Sequence, residues 1–292
     1  MAKTTHSKDK NSLIICIDPS QYEVFDQRMV KPVCVKRIEN GKETGSMVSQ
    51  PLDTVDFPKN PLTYFPPNNV GVLLSVSRKH QVLAEKQYKE QIDPTKVNHS
   101  FVDAKVDKKK FLMEKSILVA DYIENVQISI VFAYTALEAF VNLSIPEEYE
   151  YKVKNTSKGT HEIYDKKAIE RWISLKDKIA NILTVVYETK KIESTKCWNK
   201  LVLLERHRNA IIHQKSIERT EFYKAYFEKE IFDVCKSAEE VIQFFFNAHY
   251  DKKKTNSLWP WLINKDKEFP FVINPDSNDF EVIGNLYEGI KK

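Results

Sequence analysis

Arg208, Asn209 and His213 fall close together in the segment Leu201–Lys215, LVLLERHRNAIIHQK. On one helix, Leu201, Leu204 and Ile211 form an apolar stripe, and Arg208 lies along it. Glu205, Asn209 and His213 follow at i, i+4 and i+8 and line a neighbouring face. Arg208 is one residue, about 100° of helix rotation, from Asn209. An arginine, an amide and an imidazole therefore converge on the border between core and solvent. These groups suit metal-free phosphodiester chemistry. A histidine moves protons near neutral pH at an attacking 2′-hydroxyl or a leaving 5′-oxygen. A planar, permanently charged guanidinium stabilises the pentacoordinate phosphate. Asn209 can orient the imidazole or bind a phosphate oxygen. Arg206 also precedes His213 at a compatible distance, so it is a second candidate for the cation, with Glu205 as a supporting carboxylate. His207 lies off this face and is read as a solvent or interface residue.

The elements that position these groups follow from the pattern of apolar residues. Apolar side chains recur on nearly every turn from Phe111 to Leu143, which predicts a helix of roughly 50 Å that suits a bundle. Pro146 stops it, and 147–163 reads as a polar loop. Tyr164–Tyr187 is a second helix by its spacing of threes and fours. Ser194 or Thr195 can cap a third, from about Lys196 to Gln214, and Glu218–Tyr250 is a fourth. Upstream, Ser12–Asp18, Val30–Arg37 and Val70–Val76 are β-like runs. Asn40-Gly41 supplies the positive-φ residues of a hairpin turn. Residues 78–109 read as a connector. Seven of the 12 prolines precede residue 68, and none lies between Pro146 and Pro260. That shift sets the expected organisation. It comprises a polar tail over 1–11, a β-rich module over 12–104, a helical domain over 105–252, and an extension over 253–292 that packs on the body through its Trp-Pro-Trp and Phe269–Ile273 segments. The fold class expected is α+β.

The form Arg208-Asn209-Ala210-Ile211-Ile212-His213 resembles the R-x(4–6)-H signature of the HEPN family. In Tyr134–Pro146 (YTALEAFVNLSIP), the A-L-E-A-F-x-N pattern is similar to the end of that family's first long helix. The order long helix, loop, helix, motif helix, long helix also matches. The resemblance covers roughly residues 105–250. It implies a helical bundle acting as a metal-independent endoribonuclease, commonly a toxin or antiviral effector that cuts cellular RNA. It implies a homodimer whose two motifs meet in a composite site, with an antitoxin or phage-derived trigger as a further partner. Arg208, Asn209 and His213 carry over as the catalytic set. Glu138 either orients Arg208 or His213 or forms an ion pair with Arg206 or a lysine. Asn142 is read as a helix-end hydrogen-bonder. A non-catalytic dimerisation or binding module, with a partner- or nucleotide-sensing N-terminal part, is the alternative from another class.

Composition bounds the rest. The 292 residues are 42% hydrophobic and 29% charged, enough for a sizeable core. A net charge of +4 permits nucleic acid without demanding it. Lysines at Lys108–Lys110 and Lys252–Lys254 are read as solvated helix ends or loops. Four dispersed cysteines exclude a zinc ribbon and a disulfide scaffold, and fit a reducing, cytoplasmic setting. Six glycines leave little room for a phosphate-cradling loop, and no G-x-S-x-G occurs. His161, Glu162 and Asp165 read as a polar loop, so no metal or cofactor is expected. No uninterrupted apolar run approaches membrane-spanning length, so no membrane segment is expected.

Overall fold

The computed structural model describes residues 12–102, 107–155, 159–213, 220–250, 252, 255–261 and 277–287. Its strands are β1 (Ser12–Cys16), β2 (Val33–Glu39), β3 (Lys42–Pro51), β4 (Asp53–Val55), β5 (Leu62–Tyr64), β6 (Tyr151–Asn155), β7 (Thr160–Tyr164) and β8 (Glu281–Tyr287). Its α-helices are α1 (Asn69–Gln87), α2 (Lys108–Ser144), α3 (Lys166–Trp172), α4 (Leu175–Asp177), α5 (Thr184–Val186), α6 (Lys196–Ile212) and α7 (Glu230–Tyr250). The fold is α+β, with strands at the N-terminus and a mostly helical region after them.

Two compact units divide the chain. The first joins Met1–Val72 to Phe245–Lys292, and the second is Leu73–Phe244. The sequence reading set its boundaries at 104/105 and 252/253. The first shift has a clear cause. Val70–Val76, read as β-like, opens α1 instead. Pro66, Pro67 and Asn68 precede it, and the Asn68 Oδ1 accepts the Gly71 N–H at 2.9 Å, as an N-cap does. Val70, Leu74, Ser77, Gln81, Ala84 and Tyr88 are buried at steps of three and four, the period of a helix. Of the residues that gave the β-like look, Val70 and Leu74 begin the buried stripe of α1, and Val72, Leu73 and Val76 flank it half-buried.

In the first unit, a four-stranded sheet runs in the order β1-β3-β2-β8. The β2–β3 hairpin turns at Asn40 (φ 49°) and Gly41 (φ 76°), as the Asn-Gly pair requires. β8 lies parallel to β2, so the C-terminal extension completes the sheet. The sequence reading placed its apolar tail at Phe269–Ile273, which lies outside the described residues. Tyr22, Cys34, Val48, Trp261 and Phe280 form the core, with Tyr22 stacked on Trp261 at 5.8 Å.

Lys31 is buried in this unit, with its Nζ 5.3, 5.7 and 5.2 Å from the ring centroids of Phe246, Trp259 and Trp261. Burial pushes its ammonium down to about 8, while the charge of Asp279 acts the other way. The unfolded chain keeps this proton to about 10.5. Between those values the unfolded state binds more protons than the folded one, so stability rises with pH. The gain is at most about 3 kcal/mol, reduced by what the ring faces return to the cation. Parent and Lys31→Met unfolding, compared at about pH 7.5 and about pH 10, should therefore differ. The parent gains relative to the variant at the higher pH, and parallel behaviour of the two would contradict this account.

In the second unit, α2 is the longest element. Asp107 caps it, accepting the Lys109 N–H at 2.9 Å. Its most apolar 18-residue stretch has a mean hydropathy of 1.5, which with its length is enough to cross a membrane on those two grounds, and half of it is buried within the protein. No uninterrupted apolar run signals this, because isolated polar residues interrupt the helix. Tyr122 donates to the Tyr226 carbonyl at 2.6 Å, and the Ser77 hydroxyl donates to the Ser129 carbonyl at 2.9 Å. Two expectations change here. The region read as a polar loop contains the antiparallel β6–β7 hairpin, with Gly159 at φ 65° between the strands. The single helix expected over Tyr164–Tyr187 is divided. Asp165 caps α3, Ser174 caps α4, and a π-helical stretch Lys178–Leu183 leads into α5. Two capping side chains within ten residues restart the helix instead of continuing it.

Candidate functional site

All the candidate residues lie in the second unit, on α2 and on α6 with the residue that ends it. Leu201 and Leu204 are fully buried, and α6 packs against α2 through that stripe. This fixes which α6 side chains reach the border. Arg208 is half-buried there. Its Nη1 donates to the Asn209 Oδ1 at 3.0 Å, and its guanidinium lies 5.0 Å from the ring centroid of Tyr134 on α2. The side-chain carbonyl oxygen of Asn209, the residue expected to orient the imidazole or bind phosphate, accepts this bond from Arg208.

Glu205 accepts a hydrogen bond from the Tyr134 hydroxyl and an ion pair from Lys176 at 2.7 Å. Burial, followed by the negative charges of Glu205 and Glu138, pushes the Tyr134 phenol up to about 12, with Arg208 opposing. Tyr134 is thus a neutral donor whose ring faces a cation and whose hydroxyl engages an anion.

Glu138 lies one turn further along α2, partly buried, within electrostatic reach of Tyr134 and of Lys178. Among the described residues, no hydrogen bond or ion pair joins it to Arg208, His213 or Arg206. Lys178 is 2% exposed, and its Nζ donates to the Asn142 Oδ1 at 2.8 Å and to the Glu170 carbonyl at 3.4 Å. Burial lowers the Lys178 pKa, while Glu138 and Glu170 raise it. Asn142 is thereby a hydrogen-bonding residue near the end of α2.

His213 is the residue that ends α6. It leaves helical geometry (φ −117°, ψ 42°), its N–H donates to the Asn209 carbonyl at 2.9 Å, and its side chain is exposed. Of the i, i+4, i+8 set Glu205, Asn209 and His213, the first two therefore lie within α6 and the third is the residue that ends it. Arg206 is exposed. His207 is not a solvent residue. Its ring packs 5.8 Å from that of Tyr226, and burial, then the charge of Arg206, lowers its pKa.

Sequence reasoning missed Tyr134, Lys176 and Lys178 as members of this cluster. A signal existed for the first. Tyr134, Glu138 and Asn142 repeat at i, i+4 and i+8 on α2, a polar line beside an apolar one. The aromatic ring of Tyr134 makes it fall in with the apolar period of Phe111–Leu143 instead. Lys176 and Lys178 come from the stretch read as one regular helix, which the cap at Ser174 divides. The alternative metal reading of His161, Glu162 and Asp165 falls partly on an imidazole outside the described side chains.

Taken together, the cluster offers an anchored guanidinium, an exposed imidazole at the same end of α6, and a buried polar layer behind them. The chain matches no protein-family model, and no curated protein or solved structure is significantly similar to it.

Proposed function

We propose that the helical unit is a metal-independent endoribonuclease of the HEPN type. The observation that supports this best is the composition of the last turn of α6. Arg208 is held by Asn209 and Tyr134, and the exposed His213 ends the helix five residues later. A 2′-hydroxyl attacks the adjacent phosphorus, the 5′-oxygen leaves with a proton, and the products are a 2′,3′-cyclic phosphate and a 5′-hydroxyl. His213 moves one of these protons, and Arg208 stabilises the charge on the equatorial oxygens. A single histidine serves one end of the reaction. In this reading a second copy of the chain brings the other, which makes the active form a homodimer. The role proposed is RNA cleavage in phage defence or as a toxin in the cytoplasm, with the first unit sensing a trigger or binding an antitoxin.

Purified protein incubated in EDTA with total RNA and a defined tRNA should release fragments ending in 2′,3′-cyclic phosphate, and His213→Ala should not. Equal cleavage by both proteins would remove His213 from the reaction. No cleavage by either, with or without phage extract as trigger, would favour a binding module.

A further inference from the structure

Trp172 ends α3 and is 66% exposed, whereas Trp259 and Trp261 are buried. An indole is among the costliest side chains to leave in water. This one is not bare on both faces. The guanidinium carbon of Arg171 lies 4.7 Å from its ring centroid. Arg171 forms no ion pair among the described residues, so its charge is not spent on a carboxylate. One face of the indole thus carries a cation, and the other is open to a flat partner.

The location ties this pair to the candidate site. Three residues separate Trp172 from Lys176, and the Lys176 Nζ is bonded to Glu205 at 2.7 Å. That chain segment spans at most about 14 Å. Glu205 is three residues before Arg208 on α6, a rise of about 4.5 Å. With the four intervening side chains included at about 5 Å each, the indole stands within on the order of 40 Å of Arg208, a span that one extended single strand can cover. Between Asp165 and Asp177 the exposed bases are Lys167 and Arg171 beside the exposed acids Asp165, Glu170 and Asp177, while Lys176 is paired with Glu205. Asp177 is also engaged by the Ser174 hydroxyl at 2.6 Å.

We infer that Trp172, with Arg171 stacked on it, is the platform for an unpaired nucleobase of the RNA strand that reaches Arg208 and His213. The inference rests on the ribonuclease reading for the course of the strand. Every base has a π face, so stacking is tolerant of sequence. It discriminates by structure instead, because bases in a duplex are already stacked on one another. Single strands and loops are therefore the substrate class, and the platform sets affinity.

The test uses the full chain carrying His213→Ala, so that RNA is bound without being cut. A labelled ten-nucleotide oligouridylate, an oligoadenylate and a duplex of equal length are titrated, reading anisotropy and tryptophan emission. Both single strands should bind, quench emission and outcompete the duplex. Adding Trp172→Ala should weaken single-strand binding about 5- to 150-fold, the range set by one stacked base. Trp172→Phe should restore most of the affinity while losing the quench. Unchanged affinity in Trp172→Ala, equal preference for the duplex, or no binding of any oligonucleotide overturns the platform. So does a Trp172→Ala effect confined to self-association in sedimentation, which would assign the indole to a dimer contact. The two readings fail separately. Normal cleavage and binding by Trp172→Ala in the active background would sink the platform alone. Quenching and single-strand binding by a parent that never cleaves would sink the ribonuclease alone.

Discussion

Arg208→Ala should lower the proposed RNA cleavage by about 10²–10³-fold, the usual cost of removing one preorganised donor from a charge-developing transition state. The expectation follows from how Arg208 is held. One of its five N–H donors is given to Asn209, and its π face rests on Tyr134. No other hydrogen bond engages it among the described residues, so the remaining donors can meet two phosphate oxygens at once. Because both anchors are side chains at the border of the core, the cation is oriented before substrate arrives. Arg208→Lys should be nearly as impaired, since an ammonium has neither the planar fork nor the stacking face. Tyr134→Phe keeps the ring under the cation and loses the bond to Glu205, so its effect should be the smaller. The measurement is single-turnover cleavage of a defined RNA, with thermal unfolding recorded for each variant. A well-folded Arg208→Ala that cuts as fast as the parent would end the proposed role.

The largest effect on stability is expected from Phe140→Ala, at about 3–5 kcal/mol. Phe140 is fully buried on α2 and stacks on Tyr187, with centroids 6.2 Å apart and rings 12° from parallel. Tyr187 is held in turn, its hydroxyl donating to Ser144 at 2.8 Å near the end of α2. The cavity left by alanine is therefore walled by a ring that has little freedom to collapse into it. Urea unfolding should show a lower midpoint at unchanged slope. A loss below about 1 kcal/mol would mean that the site relaxes, contrary to the packing described. The position has a functional side. Phe140 lies between Glu138 and Asn142 on the same helix, so packing at Phe140 and the polar line behind Arg208 are set by one piece of backbone.

Long elements were legible in the sequence and short ones were not. The period of apolar residues is enough to define α2 and α6, and Asn40-Gly41 marks its hairpin, whereas the single helix expected over Glu218–Tyr250 is divided into a 3-10 helix at Glu221–Phe227 and α7 from Glu230. α1 was misread because its first turns are rich in valine and leucine, which suit a strand or a buried helix equally until the spacing of Gln81 and Ala84 is included. The divided helix between Asp165 and Val186 was lost for a different reason. Asp165 and Ser174 look like ordinary surface residues until their side chains are seen to accept backbone N–H groups. The parallel pairing of β8 with β2 joins residues about as far apart as this chain allows, and no local pattern encodes that. At the site, the pairing of Arg208 with Asn209 was legible as adjacency, but its consequence was not. Only the rotamers show that the amide serves the guanidinium, and only the backbone shows that the helix ends at His213.

The parallel β8 also imposes an order on synthesis. Residues 73–244 all leave the ribosome before residues 281–287 do, so the helical unit has its full sequence while one edge of β2 still has no partner. A helical unit rich in local contacts folds quickly, whereas a parallel strand pair must wait for distant chain. The nuclease half of the proposed protein would then be complete first and its sheet-bearing half last. A nascent chain arrested in that interval would carry the chemistry without the finished module proposed to govern it, and would expose an open strand edge prone to pairing with other chains.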